Sequence, residues 1–317
     1  MSLRRRQLGR SGLKVAPFVL GGNAFGWTAS EEASFRVLDA FVDAGFNLID
    51  TADVYSNWVP GHSGGESEAI LGRWMRQGGR RGDVLIATKV GMETSEGAKG
   101  LSNSHIGRSL EGSLRRLQTD HVDLYQAHVD DPSAPLEETL EAFRTLLEEG
   151  RVRALGASNY SAARLQEALD ISARRGWPRF ECLQPRYNLM DRAEFESGVE
   201  EFCRREELGV ITYSSLASGF LSGKYRSTAD LNKSLRGNRI ASRLGPRGTR
   251  VLEALDQVSA AVGARPATVA IAWLLSRPAV TAPIASATTP QQLSELLAAV
   301  DLHLDRASLE TLDRASA

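Results

Sequence analysis

Apolar residues along this chain fall into two alternating kinds of pattern. Runs near 17–21, 46–50, 84–89, 122–127, 152–157, 180–184, 209–213 and 279–284 are continuous rather than alternating, as expected of parallel strands covered on both faces. Between them, apolar positions recur at helical spacing, with recognisable ends. Thr28-x-x-Glu31 reads as a capping box ahead of Phe35, Val37, Leu38 and Phe41. Pro135 suits the first turn of a helix carrying Leu136, Leu140, Phe143 and Leu147, and Gly150 fits just past its end. Ser161 opens the next helix and Gly176 closes it, and Asp191-x-x-Glu194 starts another that ends before Gly209. Ahead of these units, Gly9-Arg10-Ser11-Gly12 lies between two short apolar pieces and predicts a small hairpin.

Strict alternation of strand and helix implies a parallel sheet with right-handed crossovers. Eight such units in 317 residues favour a closed (β/α)8 TIM barrel over an open doubly wound sheet, with one domain spanning 1–317. Two connections are too long to be simple links: 56–66 after the second strand, and the Gly-, Ser- and Arg-rich stretch 214–246 after the seventh. Both follow strand C-terminal ends, the face on which barrels carry their sites, so both read as functional loops.

Composition narrows the classes. A hydrophobic content of 42% supports a sizeable core, and a formal net charge of −1 supplies no basic field for nucleic acid. The pairs Arg115-Arg116 and Arg174-Arg175 fall near predicted helix C-termini, where cations suit the dipole. Cys182 and Cys203 form no Cys-x-x-Cys pair and read as core thiols rather than a disulfide or zinc ligands. Basic residues at the N-terminus are followed by no apolar segment of the secretory type, and no run is long enough to span a bilayer. The expectation is a cytoplasmic protein without a membrane or nucleic-acid partner.

Candidate chemistry sits at the strand tips. In Asn47-Leu48-Ile49-Asp50-Thr51-Ala52-Asp53-Val54-Tyr55 an apolar run ends in an acid, with a tyrosine a short way into the loop. Val84-Leu85-Ile86-Ala87-Thr88-Lys89 ends in a lysine, and Val122-Asp123-Leu124-Tyr125-Gln126-Ala127-His128 in a histidine. In a barrel these tips converge on one face. A lysine ending a buried strand needs a counter-charge, and Asp50 is the natural one. The pair is structural on one reading. On the other, the ammonium beside Tyr55 lowers the phenol from its usual pKa of about 10 and lets it protonate a carbonyl oxygen. His128-Val129-Asp130-Asp131 also admits a metal reading, but His62, His105, His121 and His303 show no ligand spacing, so no metal is expected. Trp27 and Trp58 are either walls of a substrate pocket or packing residues. Gly219-Phe220-Leu221-Ser222-Gly223-Lys224 is one residue short of a P-loop, and Tyr225 stands where Mg²⁺ needs Ser or Thr. It remains either a phosphate loop after strand seven or an ordinary flexible loop. No Gly-x-Gly-x-x-Gly follows a strand.

Taken together, and in this order, the motifs resemble the aldo-keto reductase superfamily over essentially the whole chain. Gly65-x-Ser67-Glu68-x-x-Leu71-Gly72, Gly156-Ala157-Ser158-Asn159-Tyr160 and Leu183-Gln184-Pro185-x-Tyr187-Asn188 extend the match. The resemblance implies reduction of an aldehyde or ketone by NADPH, with NADH as the alternative cofactor. It implies a catalytic tetrad of Asp50, Tyr55, Lys89 and His128, with Tyr55 as proton donor. For the cofactor it implies Gly22, then Ser158, Asn159 and Gln184 on the carboxamide and Tyr213 stacked on the nicotinamide ring. It implies a pyrophosphate loop at 214–224, with Ser214, Leu216, Gly219, Leu221, Gly223 and Lys224. It implies Ser286, Thr288 and Gln292 at the adenosine end. Trp27 and Trp58 then line the substrate pocket, and the partner is a small carbonyl compound. Thr289 and Leu296 depart from the family, where many relatives carry a basic residue for the 2′-phosphate and an Asn for adenine. Arg236, Arg239 or Arg243 are the expected substitutes for that charge. A second reading is a nicotinamide-binding regulatory subunit like the channel-associated β-subunits of this fold, against which the lack of an added N-terminal segment counts.

Overall fold

Parallel strands with both faces apolar must be covered from two sides, and the chain does this by closing the sheet on itself. The computed structural model describes residues 3–235 and 237–317. A hairpin of β1 (Arg6–Gln7) and β2 (Lys14–Val15) precedes the barrel strands β3 (Val19–Gly21), β4 (Leu48–Asp50), β5 (Leu85–Val90), β6 (Val122–Ala127), β7 (Val152–Ser158), β8 (Phe180–Gln184), β9 (Gly209–Thr212) and β10 (Ala282–Ala285). Neighbours in sequence are neighbours in the barrel, and β10 pairs with both β9 and β3 to close it. The predicted eight-stranded parallel barrel and its N-terminal hairpin are both present.

Inside the barrel, Val19, Leu48, Ala87, Leu124, Ala154, Cys182, Ile211 and Ala282 form one apolar cluster, joined by Leu8, Leu13 and Val15 of the hairpin. The hairpin is thus the plug of the end opposite the strand tips. Gly9 permits this: its backbone is left-handed (φ 59°), and a Cβ there would lie 2.1 Å from the Glu181 carbonyl oxygen. A second, larger core lies between the outer strand faces and the helices.

That outer layer comprises α1 (Glu31–Asp43), α2 (Glu66–Gly78), α3 (Asn103–Leu117), α4 (Leu136–Glu148), α5 (Ala162–Arg175), α6 (Glu200–Arg205), α7 (Pro246–Val262), α8 (Pro266–Leu275), α9 (Pro290–Leu297) and α10 (Arg306–Ser316), the last packing on α7. Ser161 caps α5 by accepting from the Arg164 amide, and Gly176 ends it in a left-handed conformation, as predicted. Two predicted starts are displaced. Ser30, not Thr28, caps α1 by accepting from the Ala33 amide, while Glu31 reaches across to Arg73. Thr28 is held instead in a tight turn on the Ala24 carbonyl. Asp191 caps no helix; it pairs with Arg243 and Asn188, and the helical turns leading into α6 kink at Ser197 and Gly198. No single helix among the described residues is long and apolar enough to cross a membrane.

Candidate active site

The tips of β4, β5 and β6 bring together four side chains that lie far apart in sequence. Asp50 ends β4, Lys89 lies in β5 and His128 follows β6, while Tyr55 comes from the turn after β4. Lys89 is fully buried, and its three ammonium protons go to Asp50 Oδ2 at 2.7 Å, the Thr51 carbonyl at 2.7 Å and the Tyr55 hydroxyl at 2.9 Å. Every donor of a buried cation is therefore satisfied, the condition for its being tolerated. The Tyr55 hydroxyl in turn donates to Asp50 Oδ2 at 3.3 Å. His128 stands 6.1 Å from Tyr55, ring centre to ring centre, with Nδ1 buried and without a hydrogen-bond partner. Burial, with Lys89 nearby, holds its imidazole well below the ordinary value, so it is neutral.

The phenol differs from expectation. Burial first, and then the Asp50 carboxylate, push Tyr55 well above the ordinary tyrosine value. The ammonium beside the phenol does not act alone, because the Asp50 carboxylate is bonded to both groups. Asp50 neutralises Lys89 at the point where the phenol meets it, and desolvation opposes the phenolate. Tyr55 consequently holds its proton throughout the working range.

Several supporting residues escaped the sequence reading. Asp50 Oδ1 accepts from Gln184 Nε2 at 2.8 Å and from Gln126 Nε2 at 3.4 Å, and the two glutamines bond each other. Gln126 lies two residues before His128 and so on the same strand face, which was the available signal. Ser67 and Glu68 explain the motif after Gly65: Ser67 Oγ donates to the Gly22 carbonyl and accepts from Thr51, while Glu68 accepts from Thr88 and pairs with Arg116 at 2.7 Å. Arg116 is thus the counter-charge of a buried carboxylate, not only a favourable charge at a helix end. Asp53 is 7% exposed, and no side chain hydrogen-bonds its carboxyl oxygens. Burial, reinforced by Glu68, raises it to about 8.

The predicted cofactor residues form a continuous arc around the remaining strand tips. Gly22 follows β3, where a Cβ would lie 2.7 Å from Ser67 Oγ. Ser158 Oγ donates to the Gln184 carbonyl, Asn159 donates to the His128 carbonyl at 2.9 Å, and the Tyr213 hydroxyl donates to Asn159 Oδ1 at 2.7 Å. Beyond β9, Ser214, Ala217, Ser218 and Gly219 are all left-handed, at φ 57°, 48°, 61° and 97°. Left-handed conformations at residues other than glycine cost about 1–3 kcal/mol each and gather at functional sites. Leu221 of this segment is buried, while Leu216 is partly buried against the core. Gly223 turns the chain at φ 77°, ahead of Lys224, whose ammonium lies 5.1 Å from the Tyr225 ring centre.

At the far end, Ser286 donates to Asn23, and Thr288 donates through both its amide and its hydroxyl to Gln292 Oε1. Thr289 has a structural task, capping α9 by accepting from the Gln292 amide, and Leu296 is buried in the core. Of the arginines expected to supply charge, Arg243 is paired with Asp191 at 2.9 Å, and Arg239 lies over Trp27 and Trp58. Arg236 lies outside the described residues. Trp27 and Trp58 meet edge to face at 5.5 Å, and Trp58 stands 6.1 Å from the Tyr55 ring.

A closed parallel barrel whose strand tips gather an acid, a phenol, an ammonium and a neutral imidazole beside a strained loop defines one class of protein. The chain belongs to the aldo/keto reductase family, which it matches over residues 17–317. It is 39% identical over 316 residues to an uncharacterized oxidoreductase of Bacillus subtilis, YrpG, covering 96% of this chain and 94% of that protein. A probable voltage-gated potassium channel subunit beta of Oryza sativa subsp. japonica is 35% identical over 95% of this chain and 92% of its own length. A putative subunit of the same kind from Schizosaccharomyces pombe is 34% identical over 98% of this chain and 91% of its own.

Proposed function

We propose that this protein is an oxidoreductase that reduces an aldehyde or ketone to an alcohol with NADPH, Tyr55 giving the proton. The observation that carries the proposal is the three-way bond of the Lys89 ammonium to Asp50, Thr51 and Tyr55, next to a neutral buried His128. The polar arc of Ser158, Asn159 and Gln184 and the left-handed segment at 214–219 fit a dinucleotide laid across the barrel mouth. Ser158, Asn159, Gln184 and Tyr213 would hold the nicotinamide, 214–224 the pyrophosphate, and Ser286, Thr288 and Gln292 the adenosine end. Bound there, the cofactor supplies a hydride to the carbonyl carbon.

The chain's own groups manage the oxygen. His128, neutral and short of one partner, orients and polarises the carbonyl through a hydrogen bond. As negative charge gathers on the oxygen, the Tyr55 hydroxyl turns from Asp50 and delivers its proton. A developing alkoxide is a stronger base than the phenolate left behind, so a high phenol pKa does not prevent the transfer. Lys89, at 2.9 Å, then stabilises that phenolate, and Asp50, fastened by Gln184 and Gln126, keeps Lys89 in position. Fixed donors aimed at the growing charge account for most of the expected rate gain.

Replacing Tyr55 by Phe tests the assignment. Turnover of a model aldehyde should fall by about 10²–10⁴-fold, the usual worth of general acid catalysis, while NADPH affinity stays near wild type and Tm falls, because one proton of the buried Lys89 ammonium loses its acceptor. A Tyr55→Phe enzyme retaining more than about a tenth of the wild-type kcat would remove Tyr55 from the mechanism. A second reading, a nicotinamide-binding regulatory subunit with little turnover, draws on the two channel-subunit relatives. Steady wild-type reduction of the same aldehyde excludes a purely regulatory role.

A further inference from the structure

Arg239 projects from the long segment after β9 over the mouth of the site. Its guanidinium carbon lies 5.6 Å from the Trp27 ring centre and 5.9 Å from that of Trp58. The two indoles meet edge to face at 5.5 Å, and Trp58 in turn abuts Tyr55 at 6.1 Å. An unbroken aromatic wall thus runs from the proton-donating phenol to a cation, two ring contacts away. Trp58 is 37% exposed although it is among the largest apolar side chains at this face, and an exposed aromatic wall beside a reactive group is a surface for a ligand.

The cation itself is uncommitted. Among the described residues, Arg239 has neither an ion pair nor a side-chain hydrogen bond, and its side chain is exposed. Arg243 of the same segment is held by Asp191, Arg226 by Asp256, and Lys89 of the site by Asp50. Stacking on aromatic faces uses the flat face of a guanidinium and leaves its in-plane N–H fork free for a planar carboxylate. The indoles restrict the side chain, so part of the entropy of ordering it is already lost before a ligand arrives.

We infer that Arg239 is a specificity-determining residue that selects carbonyl substrates carrying a carboxylate at the end remote from the reacting group. The carbonyl would meet Tyr55 and His128, the body of the substrate would lie along Trp58 and Trp27, and the carboxylate would be received by the Arg239 fork. This inference rests on the reductase reading above, and its test is arranged so that the two can fail separately.

The experiment compares 4-carboxybenzaldehyde with uncharged 4-methylbenzaldehyde on the wild type, Arg239→Met and Arg239→Lys. In parallel, 4-(hydroxymethyl)benzoate and 4-methylbenzyl alcohol are titrated by tryptophan fluorescence, which needs no turnover. One charge-assisted bidentate contact at a partly exposed site corresponds to roughly a tenfold to hundredfold preference. The wild type should favour the carboxylate aldehyde in kcat/KM by about that factor, expressed mainly in KM. Arg239→Met should collapse the ratio between the two substrates toward one, Arg239→Lys should restore part of it, and raised salt should erode it. The titration should show the same order for the two alcohols. Equal kcat/KM for the two aldehydes on the wild type, or an unchanged ratio in Arg239→Met, overturns the inference while the reductase reading stands. An Arg239→Met variant that loses NADPH affinity but keeps the ratio assigns the residue to the cofactor and equally overturns it. If neither aldehyde is reduced, the reductase reading falls, and the titration alone then decides whether the carboxylate site exists.

Discussion

Asp53 offers the most direct test of the electrostatics. Replacing it by Asn removes a titrating group while nearly preserving shape. Its carboxyl is 7% exposed and is raised by burial and by Glu68 from the ordinary 3.8 to about 8; Arg116, the Val54 amide and Lys89 act in the opposite direction. The sign follows from proton counting. Below the unfolded value both states are protonated and the group contributes no pH dependence. Between that value and about 8 only the folded chain keeps the proton, so folding stability falls as pH rises, and it levels off above. Each unit is worth about 1.4 kcal/mol, so the wild type should lose roughly 3–4 kcal/mol between about pH 5 and about pH 8 from this group alone. The Asn variant lacks the term, so the difference in unfolding free energy between the two proteins should move in its favour by that amount, whatever the constant offset. Urea unfolding across the range measures the difference. Carbon-13 labelling of aspartate carboxyls identifies the Asp53 signal as the one missing from the variant, and it should titrate near 8. A signal titrating near the ordinary aspartate value, or a pH-independent stability difference, would refute the reasoning.

Three further outcomes follow from the same geometry. Lys89→Met should abolish turnover and also lower stability by about 3–5 kcal/mol, because Asp50 is left buried without its counter-charge; an unchanged Tm and normal turnover would contradict both roles. The segment after β9 is pinned by buried Tyr225 and Ile240 and by the Arg226–Asp256 and Arg243–Asp191 pairs, so the exposed stretch 227–235 is where saturating NADP should add amide-exchange protection. Unchanged exchange there would dismiss a closing lid. NADPH should be preferred to NADH by about tenfold, the lower end of what a hydrogen bond to a charged group provides, because the Ser286 and Thr288 hydroxyls must turn from Asn23 and Gln292 to reach a 2′-phosphate and Thr289 caps α9. Equal kcat/KM for the two cofactors would show that these hydroxyls do not discriminate.

Much of the architecture is a matter of local pattern, and the sequence carries it. Continuous apolar runs specify strands buried on both faces, and their count and alternation with helices specify the barrel, because burial of apolar surface depends on spacing along the chain. The same spacing puts Asp50, Lys89 and His128 near strand ends, and a closed parallel barrel brings strand ends together. Helix ends were legible where one residue does the capping, as at Ser161 and Gly176. They were misplaced where a competing turn or a long-range ion pair claimed the residue, as at Thr28 and Asp191. What only the tertiary structure decided depends on distances and dielectric across elements. The glutamines holding Asp50 come from β6 and β8, and Thr289 and Leu296 prove to be a cap and a core residue. Arg239 reaches the tryptophans from a segment more than two hundred residues beyond Trp27 in sequence. The direction of the Tyr55 shift belongs to the same class. A lysine beside a phenol suggests a lowered pKa, but burial and a carboxylate bonded to both groups reverse it, and neither can be weighed until the chain is folded.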